Sequence, residues 1–143
     1  MPPSVFFQDL IELIIWEDYA FTWKRERPFL ASIPPTQVPL VESILQEQWE
    51  ELGALELEYK SEKALTLLGM LYTEQRMFDR FVPIAKEMGT RASERITTMS
   101  EMAEEHGRRN LALAVYEACL GPGMHERFLR SKYKALMSRL GML

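Results

Sequence analysis

The sequence predicts an all-α fold of about seven helices stacked as antiparallel helical hairpins, and three observations carry that expectation. Apolar residues recur at helical spacing through most of the 143 residues, and nothing alternates with period two over a useful length. Prolines and glycines cluster at the ends of the periodic stretches, where they start or stop helices. The joins are short, so consecutive helices must run antiparallel; a compact helical bundle using the same turns is the alternative. A chain of this length is expected to form one domain, residues 1–143, and to bury roughly two-thirds of its unfolded surface without disulfides or metals.

The first helix is expected over 5–24, introduced by Pro2-Pro3-Ser4 with Ser4 as its N-cap. Val5, Phe6, Phe7, Leu10, Ile11, Leu13, Ile14, Ile15, Trp16, Tyr19, Phe21 and Trp23 leave only Gln8, Asp9 and Glu12 as a narrow polar stripe. Such a helix has to be covered by neighbours on several sides. Its polar face is acidic, which argues against a membrane-surface helix. Lys24-Arg25-Glu26-Arg27-Pro28 ends it, and residues 28–35, with Pro28, Pro34 and Pro35, form one extended connector.

A second helix starts near Thr36, with Pro39 in its first turn and Val41, Ile44, Leu45, Trp49, Leu52 and Leu55 on one side. Ser61 caps a third, which carries Ala64, Leu65, Leu67, Leu68, Met70, Leu71 and Tyr72. A fourth runs from Phe78 to Met88 and ends at Gly89, a natural left-handed residue; Pro83 inside it removes one backbone bond and should kink or shorten it. Thr90 caps a fifth through His106, closed by Gly107. The sixth lies between Gly107 and Gly121-Pro122-Gly123, and the seventh spans Met124 to Leu140.

Two charged faces stand out. From Pro28 to Tyr59 there is no lysine or arginine, while Glu42, Glu47, Glu50, Glu51, Glu56 and Glu58 accumulate; Glu42, Glu47, Glu50 and Glu51 are the candidate acidic docking face. Residues 121–143 carry Arg127, Arg130, Lys132, Lys134 and Arg139 against one acid, about +4, which leaves about −8 on the rest of a chain of net charge −4. These five cations are the candidate basic face, beside an apolar side of Phe128, Leu129, Tyr133, Leu136, Met137 and Leu140. Phe128 and Tyr133 are placed in the core and not on a base-stacking surface.

The segment Leu65-x-x-Leu68-Gly69-x-x-Tyr72 resembles the first helix of a tetratricopeptide repeat. An offset of 31 residues puts Ile96, Met99, Ser100 and Ala103 at the same positions, a poor match. Ala112-x-x-x-Tyr116, followed by Cys119 and Leu120, resembles the repeat's second helix, whereas the earlier copy has Phe81 and Ala85 there. The likeness covers about residues 62–124 and implies a stack of helix pairs used for protein–protein interaction. Small residues at Gly69, Ala103 and Ala112 allow helix backbones to approach closely.

Reactive chemistry has no foothold in the sequence. The histidines, His106 and His125, sit in no metal-ligand spacing, the single Cys119 excludes a thiolate zinc site, and Gly121-Pro122-Gly123 lacks the Lys-Ser/Thr of a phosphate loop. No catalytic residue, metal or cofactor is expected. Cys119 reads as a buried thiol in a reducing compartment, and the nine methionines read as core gap-fillers. The start of the chain has no basic, cleavable leader, and Leu13-Ile14-Ile15-Trp16 falls far short of the roughly 20 apolar residues that span a bilayer. The expectation is a cytoplasmic, non-enzymatic adaptor or scaffold module with no membrane role. It presents a groove between the acidic second helix and the basic last one to a partner protein. The alternative is a small subunit of a larger complex that touches nucleic acid through the basic helix; a homodimer is a further option.

Overall fold

A computed structural model describes residues 2–16, 26–120 and 127–142, with the Arg91 side chain left out. The described residues form eight α-helices and three short 3-10 turns, with no strand among them. They divide into two compact units, Met1–Gln75 and Arg76–Leu143.

The first unit holds α1 (Pro3–Trp16), α2 (Glu26–Ser32), α3 (Val38–Ala54) and α4 (Glu58–Glu74). In α1 the Pro2 carbonyl accepts from the Val5 and Phe6 amides, so Ser4 lies inside the helix and is not its cap. Pro3 occupies the first helical position, where a missing N–H costs nothing. Residues 17–24 of the expected long helix fall outside the described residues. The extended connector expected at 28–35 is instead mostly α2, with Pro28 in its first turn. A distant side chain closes that helix: the Gln75 amide donates to the Leu30 and Ile33 carbonyls at 2.7 and 3.1 Å, and Arg27 pairs with Glu74 at 2.7 Å.

A 3-10 turn, Pro35–Gln37, leads into α3, and Pro39 sits in its first turn as expected. Val41, Ile44, Leu45 and Leu52 are buried, Trp49 is half-buried, and Leu55, expected on the same face, caps the helix in solvent. Ser61 is not a cap either. It lies one turn inside α4 and donates to the Trp49 carbonyl of α3 at 3.1 Å. α4 is the central helix of this unit, packed against α1, α2 and α3 and buried on nearly every side from Ala64 to Thr73.

The second unit holds α5 (Phe81–Met88), α6 (Ser93–Glu105), α7 (Arg109–Leu120) and α8 (Arg127–Arg139). Phe78–Arg80 forms a 3-10 turn before α5, so the helix begins at Phe81 and Pro83 falls in its first turn without breaking a bond. Gly89 has the positive φ expected of it, 59°, but with ψ at −149° it adopts a conformation open essentially to glycine alone. Thr90 belongs to the 3-10 turn Gly89–Ala92 and does not cap α6, which starts behind Ala92. α7 is central here, against α5, α6 and α8. Cys119 is buried, and its thiol donates to the Tyr116 carbonyl one turn back at 3.4 Å.

The two units contain matching hairpins. α3 and α4 are joined by Leu55-Glu56-Leu57, and α6 and α7 by His106-Gly107-Arg108. In both, the middle residue has a positive φ, 61° at Glu56 and 75° at Gly107. The next amide reaches back to close the helix end, Leu57 to the Leu52 carbonyl and Arg108 to that of Ala103. Glu56 and Gly107 are 51 positions apart, and at that offset burial keeps step. Leu45 and Ile96, Gln48 and Met99, Leu52 and Ala103, Ser61 and Ala112, Leu65 and Tyr116, and Leu68 and Cys119 are all buried pairs. The contact between Ser61 and the Trp49 carbonyl has its counterpart in Ser100, which donates to the Ala112 carbonyl at 2.9 Å.

Candidate functional site

The most distinctive surface belongs to α1. At about 100° per residue, Phe7, Ile11 and Ile15 fall on one side of the helix, and all three are buried against the unit. Val5, Phe6, Leu13 and Trp16 fall on the other side and are 44%, 49%, 59% and 50% exposed. The expectation that neighbours cover this helix on several sides is therefore corrected: α3 and α4 pack on one side, and the opposite apolar side stays about half exposed. Asp9 lies within that outer face, and Glu12 borders it, held by the Gln8 amide at 2.7 Å.

The start of α4 completes the far end. Lys60 places its ammonium 4.5 Å from the centre of the Trp16 ring, a cation–π contact. Lys63 is buried, and its ammonium lies 3.5 and 3.4 Å from the Ile14 and Ile15 carbonyls, where the negative end of the α1 dipole favours a cation. Tyr59, next to Lys60, is exposed. Sequence reasoning took the α1 outer face for core because apolar content alone does not say which side is covered.

The predicted acidic residues all lie on α3, where helical geometry spreads them. Glu47 and Glu51 stand one turn apart, Glu50 points directly away from the buried side, and Glu42, half-buried, sits on the opposite edge. The basic residues of α8 divide in the same way. Its buried stripe is Leu129 and Leu136; Arg127 and Lys134 point away from it, half-buried Arg130 lies on one flank, and Lys132 and Arg139 lie on the other. Phe128, assigned to the core by sequence, is 49% exposed under Lys132, whose ammonium lies 5.5 Å from its ring.

Arg139 is bound to Glu104 of α6 at 3.0 Å, and that bond, first among its causes, raises the guanidinium above its usual value. Tyr133 donates to Glu117 of α7 at 2.8 Å; burial, then this bond to a carboxylate, raises its hydroxyl. Burial also raises Tyr116, against bonds from Thr97 and Ser100 that pull it down. Part of the basic helix is thus committed to holding α8 in place. The acidic α3 and basic α8 belong to different units, and each is a feature of its own unit.

No family model, curated protein or solved structure matches this chain. The surfaces themselves carry the functional argument. Among the described residues, no helix is long and apolar enough to cross a membrane.

Proposed function

We propose that this chain is a non-enzymatic protein–protein interaction module, an adaptor or scaffold that docks a partner on the outer face of α1. The observation that supports this reading is the stripe of Val5, Phe6, Leu13 and Trp16, four large apolar side chains about half exposed on one face. Contiguous apolar patches of this kind mark interaction sites, and tryptophan is enriched among the residues that dominate binding. Covering what remains exposed would contribute roughly 1 kcal/mol per side chain, about 4 kcal/mol in all. Association and side-chain ordering consume an amount of that order, so the patch anchors a partner and polar complementarity must supply the rest.

The repeated hairpins suit a scaffold. Each unit builds a central helix, α4 or α7, around which the other helices pack, and α1 is carried on α3 and α4 as a fixed platform. The stacking implied by the tetratricopeptide resemblance, and a cytoplasmic setting, belong to the same reading.

The test is a photo-crosslinking residue at position 13, expressed in the native host. A discrete protein adduct from position 13, absent when the same residue replaces exposed Glu50 of α3, is the expected result. Equal labelling at both positions, or none at position 13, overturns the proposal.

A further inference from the structure

We propose that the α1 face takes one amphipathic helix of a partner protein, bearing a lysine or arginine opposite Asp9 and an acid about two turns away opposite Lys60; this rests on the reading of that face as a protein interface. Val5, Asp9, Leu13 and Trp16 follow one another at intervals of four, four and three residues, the spacing of a seam against which a second helix packs side by side. The seam is three turns long, about 16 Å, which suits a helical segment of similar length.

Charge selects the occupant. Asp9 is the one polar side chain of the outer stripe, and a helix laid over it desolvates its carboxylate. An unpaired buried charge is costly, so the partner must bring a cation. The surroundings reinforce that demand. The described residues of the first unit carry eleven carboxylates and three cations. None of the three is bonded to Asp9: Arg27 pairs with Glu74, Lys63 lies at the carbonyls of α1, and Lys60 stands over the Trp16 ring, two turns along the seam. A second copy of this chain, packed antiparallel about the middle of the seam, sets Asp9 against the copy's own acids, Asp9 or Glu12. An anionic bilayer meets the same repulsion. Lys60, at the Trp16 end, is the opposite pole of the seam and fixes the second partner charge.

Two synthetic helical peptides of the same apolar seam test the inference, one with Lys and Glu seven residues apart on that seam and one with Glu at both places. The Lys/Glu peptide should bind the full chain about tenfold more tightly than the Glu/Glu peptide. Asp9→Lys, on the exposed side and checked for folding by circular dichroism, should reverse the preference. Leu13→Ser should weaken the Lys/Glu peptide by about tenfold. Equal affinity for both peptides, or a preference unchanged by Asp9→Lys, overturns the proposal. So does a seam occupied by a second copy in sedimentation, or partition of the chain onto phosphatidylserine vesicles in place of peptide binding. If neither peptide binds while the position 13 adduct persists, this inference falls and the interface reading stands; loss of both removes both.

Discussion

The hairpins α3–α4 and α6–α7 solve one problem with different residues, and the differences show which features the geometry requires. Both turns need a residue at positive φ; the second uses Gly107, which adopts it freely, and the first uses Glu56, which is strained there. Both carry a small buried side chain at the same step of the second helix, Ser61 in one and Ala112 in the other. Both have a serine reaching across, but from opposite helices: Ser61 of α4 to α3, and Ser100 of α6 to α7. The requirement is thus on size, conformation and a bridging hydroxyl, not on identity.

The severest way to break this equivalence is to enlarge the small position. Ala112→Leu should destabilise the chain by about 3 kcal/mol, because Ala112 is wholly buried in the crossing. Ser61→Leu should cost less, since Ser61 retains slight exposure; urea melts of both compare them directly. Tolerance of Ala112→Leu would show that the second crossing is not close-packed.

The turns should then respond with opposite signs. Gly107→Ala should cost about 1–2 kcal/mol by forcing a side chain into the left-handed region, although open space surrounds the position. Glu56→Gly should stabilise by about 0.5–1 kcal/mol, the strain removed less the entropy that glycine adds to the unfolded chain. Changes of one sign in both would separate the two turns. Removing the bridging hydroxyls, by Ser100→Ala and Ser61→Ala, should cost about 1 kcal/mol each or less, because each accepting carbonyl lies within a helix.

The smallest effect lies in the second unit and is read by pH. Tyr116 and Tyr133 have hydroxyls raised above the usual value of about 10, so the folded state holds their protons more tightly than the unfolded state does. Their contribution is complete below about pH 10 and is lost as pH rises through the folded values. Tyr133→Phe should flatten the fall in thermal stability above pH 10, and an unchanged slope would assign it to other groups.

Much of the fold was legible because its signals are local. Helical periodicity, the proline in the first turn of α3 and the glycine closing α6 act within a few residues of themselves, and the all-helical class follows from them. The tetratricopeptide-like patterns in Leu65–Tyr72 and Ala112–Leu120 fell on α4 and α7, the central helix of each unit, because a helix buried on many sides needs small and large apolar residues at fixed spacing. The 31-residue offset aligned α4 with α6, whereas matched burial aligns α4 with α7 at 51. Size and exposure are preserved there while residue identity is not, as with Leu65 and Tyr116.

The sequence by itself determined the helical class, the turn glycines Gly89 and Gly107, the buried cysteine and the charge imbalance between the end of the chain and the rest; the Gly121-Pro122-Gly123 turn lies outside the described residues. Tertiary structure decided α2, a seven-residue helix too short to stand alone, whose end is held by Gln75, bonded to the Leu30 carbonyl inside it and the Ile33 carbonyl just past it, 45 and 42 positions away. It also decided the α1 face. Periodicity records which residues are apolar, but which side of an all-round apolar helix meets water depends on where its neighbours lie, and α3 and α4 cover only the side of Phe7, Ile11 and Ile15. The outer stripe of Val5, Phe6, Leu13 and Trp16 therefore became a candidate interface only when the packing of the first unit was known.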